Sequence, residues 1–171
     1  DGSAYESILS PIKLTEYDET YDGSTKAKLT VNANLKGYYY AITGNGKRSG
    51  TEITINGGLL EGTIVDESAG IYHPQGGTLT INGGTIKGDT GLYIKAGDCI
   101  CSVGSGATII ATGTKKDYVA MKSGFQSTGD AFLIDNADYP GGEPSADIEG
   151  GEFVSAHGAA VASYAKAGFD P

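Results

Sequence analysis

Apolar and polar positions alternate in short bursts along this chain, and the bursts recur. Leu79-Thr80-Ile81 sets a polar residue between two apolar ones, the period-2 signature of a strand with one buried face. The phrase that carries it, Leu79-Thr-Ile-Asn-Gly-Gly-Thr-Ile-Lys-Gly88, is a near copy of Ile53-Thr-Ile-Asn-Gly-Gly-Leu-Leu-Glu-Gly62, which lies 26 residues earlier. A looser copy, Leu29-Thr-Val-Asn-Ala-Asn-Leu-Lys-Gly37, precedes that by 24 residues with one residue deleted. Ala107-Thr-Ile-Ile-Ala-Thr-Gly113 follows at about the next period, and Ala146-Asp-Ile-Glu-Gly-Gly-Glu-Phe-Val-Ser155 restores the Gly-Gly pair. One such unit cannot bury its own apolar face, so copies must stack.

A second short strand is predicted between copies: Tyr40-Ala-Ile-Thr-Gly, Gly70-Ile-Tyr-His-Pro, Gly91-Leu-Tyr-Ile-Lys-Ala-Gly and Tyr118-Val-Ala-Met-Lys-Ser-Gly. Aligning them predicts two inward columns, one of Tyr40, Ile71, Leu92 and Val119 and one of Ile42, His73, Ile94 and Met121. Glycine, 28 of the 171 residues, recurs at segment ends, where sharp turns need positive φ. Short strands, glycine corners and a period of 24 to 28 residues predict an all-β chain, a right-handed parallel β-helix of about five to six coils with capped ends. Leucine-rich and helical repeats lack their consensus here, and a propeller blade needs about 40 residues or more. With strands about 4.8 Å apart, the stack is a stub of about 25 to 30 Å.

Open stack edges would recruit other chains, so covers are expected at both ends. Residues 1–27 are predicted to form the N-terminal cap, with Ile8, Leu9, Ile12 and Leu14 over the first circuit and Glu16, Asp18, Glu19 and Asp22 in solvent. Residues 28–171 form the β-helix with its C-terminal cap, where Ala159–Gly168 reads as a last strand or a short helical lid. The chain has neither an initiator Met nor a signal-peptide pattern and stops on Asp170-Pro171, which suggests a mature form or a cut segment of a longer protein.

Composition narrows the function. A net charge of −9, with no basic cluster beyond Lys115-Lys116 or Lys47-Arg48, disfavours nucleic acid as a partner. No apolar run reaches 18 residues, so no membrane insertion is expected. Cys99 and Cys101 sit at i and i+2 of a strand, about 6.6 Å apart along the backbone, which is poor geometry for a direct disulfide. Burial as two small core residues is the favoured reading, with a metal site or an intermolecular bridge as alternatives.

Little in the chain points to catalytic chemistry. The outward acids Glu61, Asp66, Glu67, Asp89, Asp98 and Asp117 are scattered along corners, with Lys87 and Lys95 as the nearby bases, and no facing acid pair emerges for lyase or glycosidase chemistry. His73 falls in a core column and His157 in a loop, and no nucleophile elbow is present. No catalytic residue, metal or cofactor is therefore assigned. Two outward features remain. The Thr30, Thr54 and Thr80 column beside Asn32, Asn56 and Asn82 is predicted to be a structural hydrogen-bond ladder. The outward Tyr72 and Tyr93, with Lys95 and Lys122 two positions on, offer flat aromatic surface and hydrogen-bonding neighbours for a sugar ring, although structural stacking is the favoured reading. The Tyr38-Tyr39-Tyr40 run adds aromatic area that could serve an oligomer contact.

The words Leu-Thr-Ile-Asn-Gly-Gly-Thr-Ile-Lys-Gly, Gly-Leu-Tyr-Ile-Lys-Ala-Gly and Ile-Glu-Gly-Gly-Glu-Phe-Val-Ser resemble the glycine-rich parallel β-helix segments of surface and virion proteins from gut bacteria and their phages. The resemblance covers residues 28–168 and implies display and attachment, with no catalytic residue carried over. It implies an extracellular, homo-oligomeric virion spike or decoration protein that binds a host surface or glycan. The alternatives are a fragment of a bacterial cell-surface adhesin and a small pectate-lyase-like carbohydrate-active enzyme.

Overall fold

The computed structural model describes residues 5–7, 9–14, 27–44, 50–73, 76–95, 98–120, 124–135, 143–157 and 161–168. Regular structure there is almost entirely strand, and every strand pairing is parallel. One sheet contains β1 (Tyr5–Ser7), β3 (Lys28–Val31), β4 (Leu35–Gly37), β6 (Thr51–Ile55), β7 (Leu59–Gly62), β9 (Gly77–Gly88), β11 (Cys99–Ala111), β13 (Ser145–Ile148) and β14 (Glu152–Val154). The other contains β2 (Ile12–Leu14), β5 (Tyr40–Gly44), β8 (Ala69–His73), β10 (Thr90–Lys95) and β12 (Phe132–Asp135). The chain visits the two sheets in turn. Parallel neighbours need a long crossover between them, and each crossover is supplied by the strands of the opposite sheet.

Equivalent residues of successive repeats face each other across the ladders. Leu29, Ile53, Leu79, Cys101 and Ala146 form one inward column of the first sheet, and Val31, Ile55, Ile81, Val103 and Ile148 form the next. Ile42, Ile71, Leu92 and Phe132 form the matching column of the second sheet. These columns meet in one apolar core. Each fully buried Ile or Leu there contributes about 1.5–3 kcal/mol. The second glycine of each Gly-Gly pair turns the corner between β6 and β7 and its counterpart in β9. Gly58 has φ 94° and Gly84 φ 96°, and a Cβ on Gly58 would stand 2.2 Å from the Ala33 carbonyl oxygen.

The structure corrects the predicted columns of the second sheet. Tyr40 pairs with Ala69, two positions away from Ile71, and its half-buried ring joins an aromatic cluster outside the core. Ala41 takes the inward place beside Ile42, in line with Gly70. A side chain on Gly70 would press on Ile86, at 2.5 Å from Cβ to Cγ2, so the core has no room there for anything as large as tyrosine. Tyr118–Ala120 is not strand, and Val119 is 60% exposed. Its expected place beside β10 belongs to β12, whose Phe132 and Ile134 continue the columns of Leu92 and Ile94. Met121 and Lys122 lie outside the described residues.

The fourth repeat is also displaced. Ala107 pairs with Gly84, so Ala107–Ala111 matches the closing half of the phrase, whereas Cys101-Ser102-Val103 matches its opening half. A bulge between Val103 and Gly106 absorbs the extra length. At the start, β1 and β2 add to β4 and β5 as a further pair of strands; Ile12 and Leu14 touch the core and Leu9 is exposed. Ile8 and the acidic residues from Glu16 to Asp22 lie outside the described residues. At the far end a 3₁₀ turn at Ala162–Tyr164 lies against β13, with Val161 buried and Tyr164 packed on Phe132.

Charges on the first sheet are also in register. Lys36 faces Glu61, and Glu61 faces Lys87, with Lys87 Nζ 2.7 Å from Glu61 Oε1. The sign alternates from one repeat to the next.

Candidate functional site

Outward residues of the second sheet would meet water on a bare solenoid. Here residues 112–120 and 124–131, between β11 and β12, cross that face instead. They are held at several points. The Thr128 N–H donates to Thr90 Oγ1 at 2.9 Å, and the Gly91 N–H to the Asp130 carbonyl at 3.0 Å. The Tyr72 hydroxyl donates to the Gly124 carbonyl at 2.7 Å. Phe125 then drops onto the strand aromatics, with ring centroids 5.2 Å from Tyr40, 5.6 Å from Tyr72 and 5.0 Å from Tyr93. Such edge and tilted contacts suit the aromatic quadrupole.

This cover overturns the exposed platform expected from the sequence. Tyr72 and Tyr93 meet edge to face, with centroids 5.3 Å apart and planes inclined by 72°, but Tyr72 is 8% exposed and Tyr93 is fully buried. Lys95 is fully buried too, and its Nζ lies 2.7 Å from Asp135 Oδ2, itself inaccessible. Tyr93 donates to the same carboxylate oxygen and Tyr118 to the other. Burial, and next the bond to Asp135, push the Tyr93 phenol pKa far up, so it stays protonated as a donor. Three donors around one carboxylate compensate its desolvation, which an isolated buried charge would not survive. Asp135 was missed in the sequence because nothing local marks it; its partner lies 40 residues away.

Where the covering segment ends, a cleft of about 340 Å³ opens between it and the turn after β7. Its apolar wall is Tyr39, Tyr40 and Phe125; its polar rim is Asp66 and Glu67 on one side and Lys116, Gln126 and Ser127 on the other. Asp66 adopts the left-handed conformation, φ 68°, which Asp tolerates better than most residues. Lys116 Nζ reaches Asp66 Oδ1 at 3.1 Å and ties the two rims together. Gln126 is held at both ends: its Nε2 donates to the Asp117 carbonyl at 2.9 Å and its Oε1 accepts from the Val119 N–H at 3.2 Å. Burial raises the Tyr40 phenol pKa, with smaller contributions from Tyr39 and the Glu67 charge.

The remaining candidates have structural surroundings. Thr30, Thr54 and Thr80 face one another in register, and Asn82 Nδ2 donates to Asn56 Oδ1 at 2.8 Å, with Asn32 exposed at the matching corner. Asn34, unremarked in the sequence, accepts the Leu59 N–H at 2.8 Å; its place beside the Gly-Gly corner of the next repeat was the available signal. Asp89 exchanges hydrogen bonds with Ser68, and Asp98 accepts the Glu143 N–H at 3.3 Å. Cys99 and Cys101 are free and buried. His73 Nδ1 lies 3.2 Å from Cys99 Sγ, and burial lowers the His73 pKa to about 4 while raising Cys99 to about 12. Both thiols are protonated at neutral pH and poor nucleophiles. Among the described residues no group of three His, Cys, Asp or Glu could hold a metal ion, and no helix is long and apolar enough to cross a membrane. Compared with protein-family models, with curated proteins and with solved structures, the chain matches none.

Proposed function

We propose that the chain winds as a right-handed parallel β-helix and serves as a non-enzymatic, surface-exposed attachment protein, a phage-like virion spike or decoration that binds host glycans. Support for the winding is the alternation between two sheets, the one-repeat register of every ladder, and the strong right-handed preference of parallel crossovers. The cleft carries the functional reading. Aromatic rings beside carboxylate and hydroxyl groups, in a volume near the lower end for small-ligand sites of about 300 Å³, suit one sugar ring. Asp66 and Glu67 are adjacent residues on one turn. Glycoside hydrolysis needs carboxyl groups flanking the bond from two sides, so this arrangement favours holding over cutting.

A glycan array tests the reading. Binding should fall at least about fivefold for Tyr39→Ala, the loss of one stacking ring being comparable to a ring–ligand contact of about 1 kcal/mol or more. Sedimentation should show a homo-oligomer. Calcium-dependent release of unsaturated sugars from acidic polysaccharides would defeat the attachment reading in favour of an enzyme.

A further inference from the structure

The charges in the cleft do not cancel. Lys116 is engaged by Asp66, whereas Glu67, one residue on and exposed at the rim, has no ion-pair partner among the described residues. The cleft therefore carries one uncompensated negative charge, on a chain whose net charge is −9. Acidic sugars are repelled from such a site.

Groups that could read a neutral hydroxyl pattern are mostly occupied. Both ends of the Gln126 amide are tied to the backbone of its own segment, and Ser127 is buried. What remains for a ligand is the Glu67 carboxylate, the Tyr39 and Tyr40 phenols and ring surface. Tyr39 and Tyr40 stand with centroids 6.0 Å apart and planes inclined by 39°, and Phe125 meets Tyr40 at 74°. Rings set at angles around a space, with a carboxylate at its edge, are the surroundings that attract an organic cation through the ring quadrupoles. A carboxylate adds a charge-assisted hydrogen bond when the cation carries N–H groups.

We infer that the cleft recognises a cationic nitrogen on its ligand, either the free ammonium of an unacetylated amino sugar or a quaternary ammonium substituent of a surface glycan. This rests on the cleft being the glycan site proposed above. It adds a selectivity rule that such a site need not have: a neutral or acidic sugar of the same size is a poor ligand.

Titration calorimetry at slightly acidic pH, on the intact chain, separates the possibilities with three probes: the glucosamine disaccharide, its N-acetylated counterpart, and choline. The expected result is binding of the free-amine sugar about tenfold tighter than the acetylated one, with the preference lost in Glu67→Gln. Glu67 is exposed, so that variant should fold, as circular dichroism would verify. Choline bound as well as the amine sugar supports the quaternary source; glucosamine bound alone supports the amino sugar. Choline bound with neither sugar sustains the cation rule and removes the glycan reading. Equal affinity for the free and acetylated sugars, unchanged in Glu67→Gln, overturns the inference while leaving a glycan site standing. Failure of all three probes overturns both.

Discussion

The outer faces of the two sheets solve the same problem in opposite ways. The first sheet leaves its outer face to water and lines it with polar and charged side chains that meet their own counterparts, Thr54 over Thr80, Asn56 bonded to Asn82 and Glu61 paired with Lys87. The second lines its face with Tyr72, Tyr93 and Lys95 and then covers it with residues 112–120 and 124–131. A repeated phrase suffices for the first solution, because each residue meets its own copy. Aromatic rings and a buried charge on the second need partners that no repeat supplies, so the periodicity is interrupted to provide them. The candidate site lies at the rim of that interruption.

Breaking the covered face should have the largest effect. Asp135→Ala leaves Lys95 buried beside two phenols without its carboxylate, and should cost about 3–5 kcal/mol in denaturant unfolding. Replacing the pair together, as Lys95→Met with Asp135→Leu, should cost far less; an equally severe loss would mean that the ion pair is not what the single variant disturbs.

The inner side of the second sheet sharpens the contrast through pH. His73 is neutral in the folded chain, with its pKa lowered by burial to about 4 against 6.5 unfolded. The unfolded state therefore binds the proton first. The contribution of His73 is complete above about pH 6.5 and is lost as pH falls through 4, a change of about 3 kcal/mol. The stability difference between the wild type and His73→Met should shift by that amount across this window. A constant difference would place the histidine in a solvated setting.

Smallest of all should be Asn82→Ala on the bare face. Removing one exposed side-chain bond from the ladder should cost under about 1 kcal/mol in the same unfolding measurement. A loss rivalling that of Asp135→Ala would erase the distinction between the two faces.

The same division explains what could be read from the sequence. Thr30, Thr54 and Thr80 were legible because each recurs in the same word, and stacked strands place identical words together. Tyr118–Ala120 misled because it alternates like a strand, yet its tyrosine is directed at Asp135 and Val119 at water. Phe132–Asp135 was overlooked because it lies far past the period, beyond a segment whose contacts join residues 38 to 52 positions apart. The Asp66–Lys116 pair spans 50 residues, so the cleft existed only once the chain was folded. Periodicity predicts what touches its own copy and says nothing about what touches something unique.

The alternating column of Lys36, Glu61 and Lys87 acts on assembly order. Because the repeats are so alike, a folding chain could omit a turn and still match apolar residue to apolar residue. Omission would set Lys36 against Lys87, two like charges at adjacent positions, at a penalty of a few tenths of a kcal/mol or more. Across these three repeats each thus accepts its immediate successor and disfavours the one after it, a parity check written in charge that ends where Ile110 faces Lys87.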